Sequence, residues 1–224
     1  MKKVNLLICF MIPACIVYFG CSTGSKNPES NNLNSIELTI DPGDKWLGKR
    51  KVFIFSLDRT PQMAAWIEND TDNYISTIIV TNKNAKKKWL KAPKEGRLEA
   101  LPVWNNRISN KSILIDSISA ASSKGSVDVK IDNGSFVKGQ EYTVYLEINH
   151  SFDYNEFWTE KNSGVNGQPS LIYCAKFSAG TPGKIKLDPI GYGSVDGSSG
   201  NIVSGLDGIT TALAIINEAN IVIN

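Results

Sequence analysis

The chain has 224 residues, 24 basic and 22 acidic side chains, a single histidine and four cysteines. Charges this balanced lack the basic footprint of a nucleic-acid binder, so no nucleic-acid partner is expected. One histidine and few cysteines also exclude the common Cys/His zinc sites. At the N-terminus, Lys2 and Lys3 precede an apolar run from Leu6 to Phe19 that ends at Gly20-Cys21. A positive start, an apolar middle and a small residue before the cut make a secretory signal over 1–20. The run is shorter than the roughly 20 residues a spanning helix needs and is broken by Pro13. Cys15 is a second candidate cut, but it would leave apolar Ile16 to Phe19 behind the anchor; Cys21 is followed by polar chain instead.

Val17-Tyr18-Phe19-Gly20-Cys21 resembles the lipobox of bacterial lipoproteins, with Tyr18 and Phe19 where the family usually has Leu and a small residue. The resemblance implies that Cys21 is the lipidated first residue of the mature chain and that its partner is a lipid bilayer. Ser22 after Cys21 points to the outer membrane as destination. The segment 21–35, rich in Ser, Asn and Gly, buries too little to order itself and reads as a flexible tether. Loss of Lys2 and Lys3 leaves 22 basic residues against 22 acidic ones, a mature charge of zero. Cys9 and Cys15 leave with the leader and Cys21 is acylated, so Cys174 stands alone and no internal disulfide is expected.

From residue 36 to 224 a single domain is expected. Strand-length runs fall at Ile36 to Ile40, Val52 to Leu57, Ala64 to Glu68, Tyr74 to Thr81, Val127 to Ile131, Tyr142 to Asn149, Leu171 to Phe177 and Ile185 to Leu187. Alternation in Val127 to Ile131 and in Tyr142 to Ile148 predicts one buried and one wet face. Asn133-Gly134 and Lys138-Gly139 between these two predict a long antiparallel hairpin. Arg97 to Trp104 and Gly208 to Ala219 read as short helices, and Ile221 to Ile223 as a last strand. The fold class is therefore mainly β: an immunoglobulin-like antiparallel β-sandwich with one or two short helices. Lys83 and Lys86 to Lys88 read as a solvated turn, and Cys174 as a small core hydrophobe.

Trp66-Ile67-Glu68, Lys88-Trp89-Leu90, Leu101-Pro102-Val103-Trp104 and Gln140 to Glu147 resemble, over residues 52–150, a family of periplasmic domains of unknown function found beside PepSY-type membrane proteins. The family implies the sandwich and supplies no activity. Asp116 to Ser122 resembles the short motif at which some exported proteins receive FMN through a phosphoester. It implies Ser122 as the attachment hydroxyl with Asp116 and Ser119 for recognition; Ala120 stands where Gly is expected, and a Ser-rich turn accounts for the same residues.

Phe152 to Gln168 is a long polar loop, and loops of that length are commonly functional. Trp158, flanked by polar residues, is expected to lie exposed there, with Asp153, Asn155 and Glu156 as a ligand-contact set for an envelope protein or glycan. Glu147, Asn149, Asp153 and Asn155 space oxygens as a calcium loop would, although Tyr154 stands where an EF-hand needs Gly. His150 has no Gly-x-Ser-x-Gly elbow to serve, and a hydrolase would have to pair Asp153 with Glu156. The reading is a tethered, non-catalytic binding or scaffolding lipoprotein of the cell envelope, with a covalent FMN carrier and a hydrolase as alternatives.

Overall fold

The computed structural model describes residues 35–52, 55–89, 93–109, 119–120, 125–132, 134 and 136–224. Among these the chain forms strands β1 (Ile36–Pro42), β2 (Gly48–Val52), β3 (Phe55–Arg59), β4 (Gln62–Asn69), β5 (Tyr74–Thr81), β6 (Ser119–Ala120), β7 (Val127–Ile131), β8 (Glu141–Asn149), β9 (Leu171–Ser178), β10 (Gly183–Lys186), β11 (Asp188–Tyr192), β12 (Val203–Ser204) and β13 (Ile216–Ile223). The helical pieces are α1 (Asn82–Ala85), α2 (Pro102–Ile108) and α3 (Glu160–Ser163), with 3-10 turns at Leu98–Ala100 and Thr211–Ala214. None is long and apolar enough to cross a membrane.

Two sheets and a small ribbon result. The first sheet has the order β10-β13-β1-β7, the second β12-β11-β9-β8-β4-β5-β6, and β2 pairs with β3 alone. All pairings are antiparallel except β5 with β6. Leu38, Ile40 and Ile221 of the small sheet share one apolar core with Met63, Ile67, Leu146, Leu171 and Phe177 of the large one, which makes the fold a β-sandwich. Its mainly β character is as the sequence predicts.

Several local expectations are corrected. Val127–Ile131 and the strand after it do not form a hairpin: β7 pairs with β1 in one sheet, whereas β8 lies between β4 and β9 in the other. The connection crosses between sheets, and Phe136 is buried on it against Tyr142 and Phe177. The strand expected over Val52 to Leu57 is the facing ends of β2 and β3, paired at Val52 and Phe55. Gly208 to Ala219 is helical only over Thr211–Ala214; Ile216 onward extends along β1, because an unpaired β1 edge offers more backbone hydrogen bonds than a short helix. The large sheet is covered on its outer face as well, where α2 lays Val103 and Trp104 against Trp66, Val80 and Ile172 as a second apolar cluster. The face of β8 expected to be wet is therefore largely buried.

The strand registers separate two poles. The described chain enters at Ser35, whose carbonyl accepts the Asn224 N–H, and Ile36 lies beside Ile223 and Ile131. Six strand steps later, about 20 Å at roughly 3.3 Å each, Pro42 reaches the opposite end beside Ile216. There Gly43 and Lys45 bond to the carbonyls of Ile215 and Ala214, and β8 ends at Asn149, one residue before His150.

Candidate functional site

At this second pole four separated segments converge on a cavity of about 480 Å³ lined by Lys45, Gly48, Lys49, Arg59, His150 and Asp153, among others. His150 is its buried centre. The His150 Nε2 lies 3.1 Å from the Lys45 carbonyl and 3.0 Å from that of Trp46. Two carbonyls accept only, so Nε2 carries the proton, and in the neutral ring Nδ1 is then an acceptor. Burial lowers the imidazole pKa, and the Arg59 charge adds to this; the two carbonyls and the Asp153 carboxylate pull the other way. Gly48 lies over the ring: a Cβ there would stand 3.1 Å from Nδ1.

Asp153 forms part of the wall. Its Oδ1 accepts the Thr211 hydroxyl at 2.6 Å and its Oδ2 the Gln168 amide at 2.8 Å, while Gln168 also bonds Thr211. Burial raises its pKa against the Thr211 hydrogen bond and the charges of His150, Lys45 and Arg59. Phe152 is held at φ 63°, a left-handed conformation unfavourable for a bulky residue. Its N–H bonds the Val165 carbonyl at 2.7 Å, and the Arg59 guanidinium stacks over its ring at 5.2 Å. Behind the cavity Arg97 donates to Ser151 Oγ and Asn166 Oδ1 at 2.6 and 2.7 Å. Thus the long loop is tied down by hydrogen bonds at both of its ends.

Trp158 corrects the expectation of an exposed ring. It is 8% exposed and packs edge-on against Tyr192 with centroids 5.7 Å apart, because Asn155 turns the chain inward there. Asn155 Oδ1 accepts the N–H groups of Phe157 and Trp158, and its Nδ2 donates to the Gly208 carbonyl. The exposed aromatic of the loop is Phe157, at 57%. Glu156 is exposed and, unlike Asp153, does not line the cavity. Of the ligand-contact set only Asp153 reaches the cavity.

The calcium set is also taken apart. Glu147 points to the outer face of the large sheet, fully buried, and accepts Ser170 Oγ–H at 2.6 Å and the Trp104 and Val103 N–H groups at 2.8 and 3.2 Å. Asn149 donates to the Gln168 carbonyl, and Asp153 and Asn155 spend their oxygens as above. Glu147, Asp153 and Asn155 commit their oxygens to separate hydrogen-bond sets, and Asn149 Oδ1, buried without a hydrogen-bond partner, does not by itself make the convergent cage a hard cation requires. No group of three His, Cys, Asp or Glu side chains is poised for a metal among the described residues.

Cys21, Asp116 and Ser122 lie outside the described residues; Ser119 is in β6. Cys174 is a free, half-buried thiol on the outer face, not in the core. A second cavity, of about 460 Å³, lies between α1, α2 and Gly197 with Val80, Pro102 and Trp104 as apolar walls. The sequence carried no signal for the cationic cavity beyond His150, because Lys45, Lys49 and Arg59 are separated from it by about a hundred residues. No family model, curated protein or solved structure matches the chain.

Proposed function

We propose that this chain is an exported lipoprotein of the cell envelope, acylated at Cys21 and held by the 21–35 tether, whose sandwich is a non-catalytic binding module. The observation that carries the reading is the position of the cationic cavity. It opens at the pole remote from Ser35, where the chain from the tether enters, so attachment through the N-terminus leaves the cavity unobstructed. The chemistry favours binding over turnover: the sole histidine spends its N–H on two backbone carbonyls, and Asp153 is spent on Thr211 and Gln168.

The anchor is tested by intact mass and fractionation of the protein from its native membrane. An acyl increment on Cys21 and release of Cys21→Ser into the soluble fraction are expected; an unmodified chain that still sediments with membranes refutes the anchor. The same spectrum reads an FMN increment at Ser122, which would favour the flavin carrier. Binding is tested by co-sedimentation with isolated envelope fractions. Saturable binding is expected, and its absence from every fraction ends the binding reading.

A further inference from the structure

Three features of the distal cavity bear on what it takes. Its charge is carried by Lys45, Lys49 and Arg59, against Asp44 at the rim and Asp153 in the wall. Lys45, Lys49 and Asp44 are exposed, and Asp153 has both oxygens engaged with Thr211 and Gln168. The cationic groups therefore outnumber the carboxylates, and one of the two carboxylates already spends its oxygens on the protein. An anion is the complementary charge.

The second feature is the direction of His150. With Nε2–H held by the Lys45 and Trp46 carbonyls, the neutral ring offers only an acceptor, Nδ1, to anything in the cavity, and an acceptor calls for a hydroxyl or N–H. The third is Gly48. It does not sit in the left-handed region that favours glycine, so backbone conformation does not account for it. A Cβ there would stand 3.1 Å from Cε1 and Nδ1 and 3.6 Å from Cγ, over the face of the ring. Glycine lets the backbone lie against that face, and the Nδ1 lone pair, in the ring plane, is left as the acceptor. Ser151 lines the same cavity, and its oxygen is already an acceptor for Arg97, which leaves its own hydrogen to donate.

We infer that the cavity binds a small hydroxylated organic acid of sugar-acid type, whose acid group meets Lys45, Lys49 and Arg59 and whose hydroxyl donates to His150 Nδ1. The inference rests on the reading of this cavity as the module's binding site. The volume of about 480 Å³ is in the lower half of the range for small-molecule sites, which favours a monomeric ligand. Ligand hydroxyls have a further partner in Ser151.

Because His150 is the only histidine, ¹⁵N-histidine labelling of the full chain in detergent gives two imidazole resonances that need no assignment. D-glucuronate, D-glucose and inorganic phosphate are the probes. D-glucuronate is expected to shift the Nδ1 resonance saturably and to bind about tenfold more tightly than D-glucose. Lys45→Gln/Lys49→Gln should bring D-glucuronate down to the level of D-glucose. Phosphate should compete without itself moving Nδ1. Both lysines are exposed, and an unchanged Nε2 resonance certifies that the ring is still held. If D-glucuronate leaves Nδ1 unmoved, the inference is overturned. If D-glucose and D-glucuronate act equally, the acid half is wrong. Saturable envelope co-sedimentation that persists in either case leaves the binding module standing, so the two readings fail separately.

Discussion

Glu147 makes a pH dependence that can be worked out before it is measured. Burial raises its carboxyl pKa from 4.5 to about 7, against the opposing pull of Ser170 Oγ–H and the Trp104 and Val103 N–H groups. In the unfolded chain the group titrates near its ordinary value, so between about 4.5 and 7 the folded state holds the extra proton. Stability must then fall as pH rises through that window and level off above it. At about 1.4 kcal/mol per tenfold change the full span is about 3 kcal/mol. Glu147→Gln imitates the protonated form: its oxygen accepts the Trp104 N–H while its amide donates to Ser170, which turns to accept. The Val103 N–H, already the longest contact at 3.2 Å, loses its acceptor at a cost of about 1 kcal/mol. The variant should therefore be about 2 kcal/mol more stable than the parent at pH 8 and slightly less stable at pH 5. Urea unfolding at half-unit steps from pH 4.5 to 8 gives the difference curve. A difference independent of pH would refute the reasoning, because it would mean that Glu147 is ionised across the range in both states.

Other substitutions test the packing. Trp158→Ala should cost about 3 kcal/mol in urea unfolding, whereas a ring exposed on the loop would cost almost nothing. Gly193→Ala would place a Cβ 2.5 Å from Pro102 Cγ and 2.6 Å from Ser170 Oγ; it should cost about 1–3 kcal/mol, while Gly183→Ala, with open space around it, should change stability by less than about 0.5 kcal/mol. Asn155→Ala frees two N–H groups and the Gly208 carbonyl and should cost about 1–2 kcal/mol. Millimolar Ca²⁺ should leave the melting temperature of the parent unchanged, since the Glu147, Asp153 and Asn155 oxygens are spent in separate hydrogen-bond sets; a saturable rise would reopen the calcium loop.

The strands were readable because each carries its own signal. Alternation in Val127 to Ile131 and the turn residues at strand ends are local facts, and β1, β5 and β8 follow them within two residues. Pairing is not local. Asn133-Gly134 and Lys138-Gly139 suggested a hairpin, but Phe136 between them is buried against Tyr142 and Phe177, and a connection that must bury a ring in the core can cross from sheet to sheet. The wet face of β8 failed for a similar reason. Thr143, Tyr145 and Glu147 look like solvent residues by period, yet Trp66 stacks on Tyr145 at 5.3 Å and α2 covers Glu147. Aromatic residues at the supposedly wet positions of neighbouring strands were the trace of that cover.

The site was legible only in part, for a reason that also bears on its function. Sequence reading can weigh a loop by composition, and Phe152 to Gln168 supplied Asp153 of the cavity wall. It cannot see that the loop is a wall whose side chains are spent on one another: Asp153 on Thr211 and Gln168, Asn155 on the loop's own backbone and Gly208, Arg97 on Ser151 and Asn166. The groups left with capacity belong to short segments that composition passes over, Lys45, Gly48 and Lys49 after β1 and the Nδ1 of His150 after β8. A rigid wall with its polar groups satisfied and a few unspent groups facing inward is what low-reorganisation binding requires. The division between spent and unspent groups, more than the polarity of the loop, is therefore the ground for proposing the contact surface in the cavity, while Trp158 is buried.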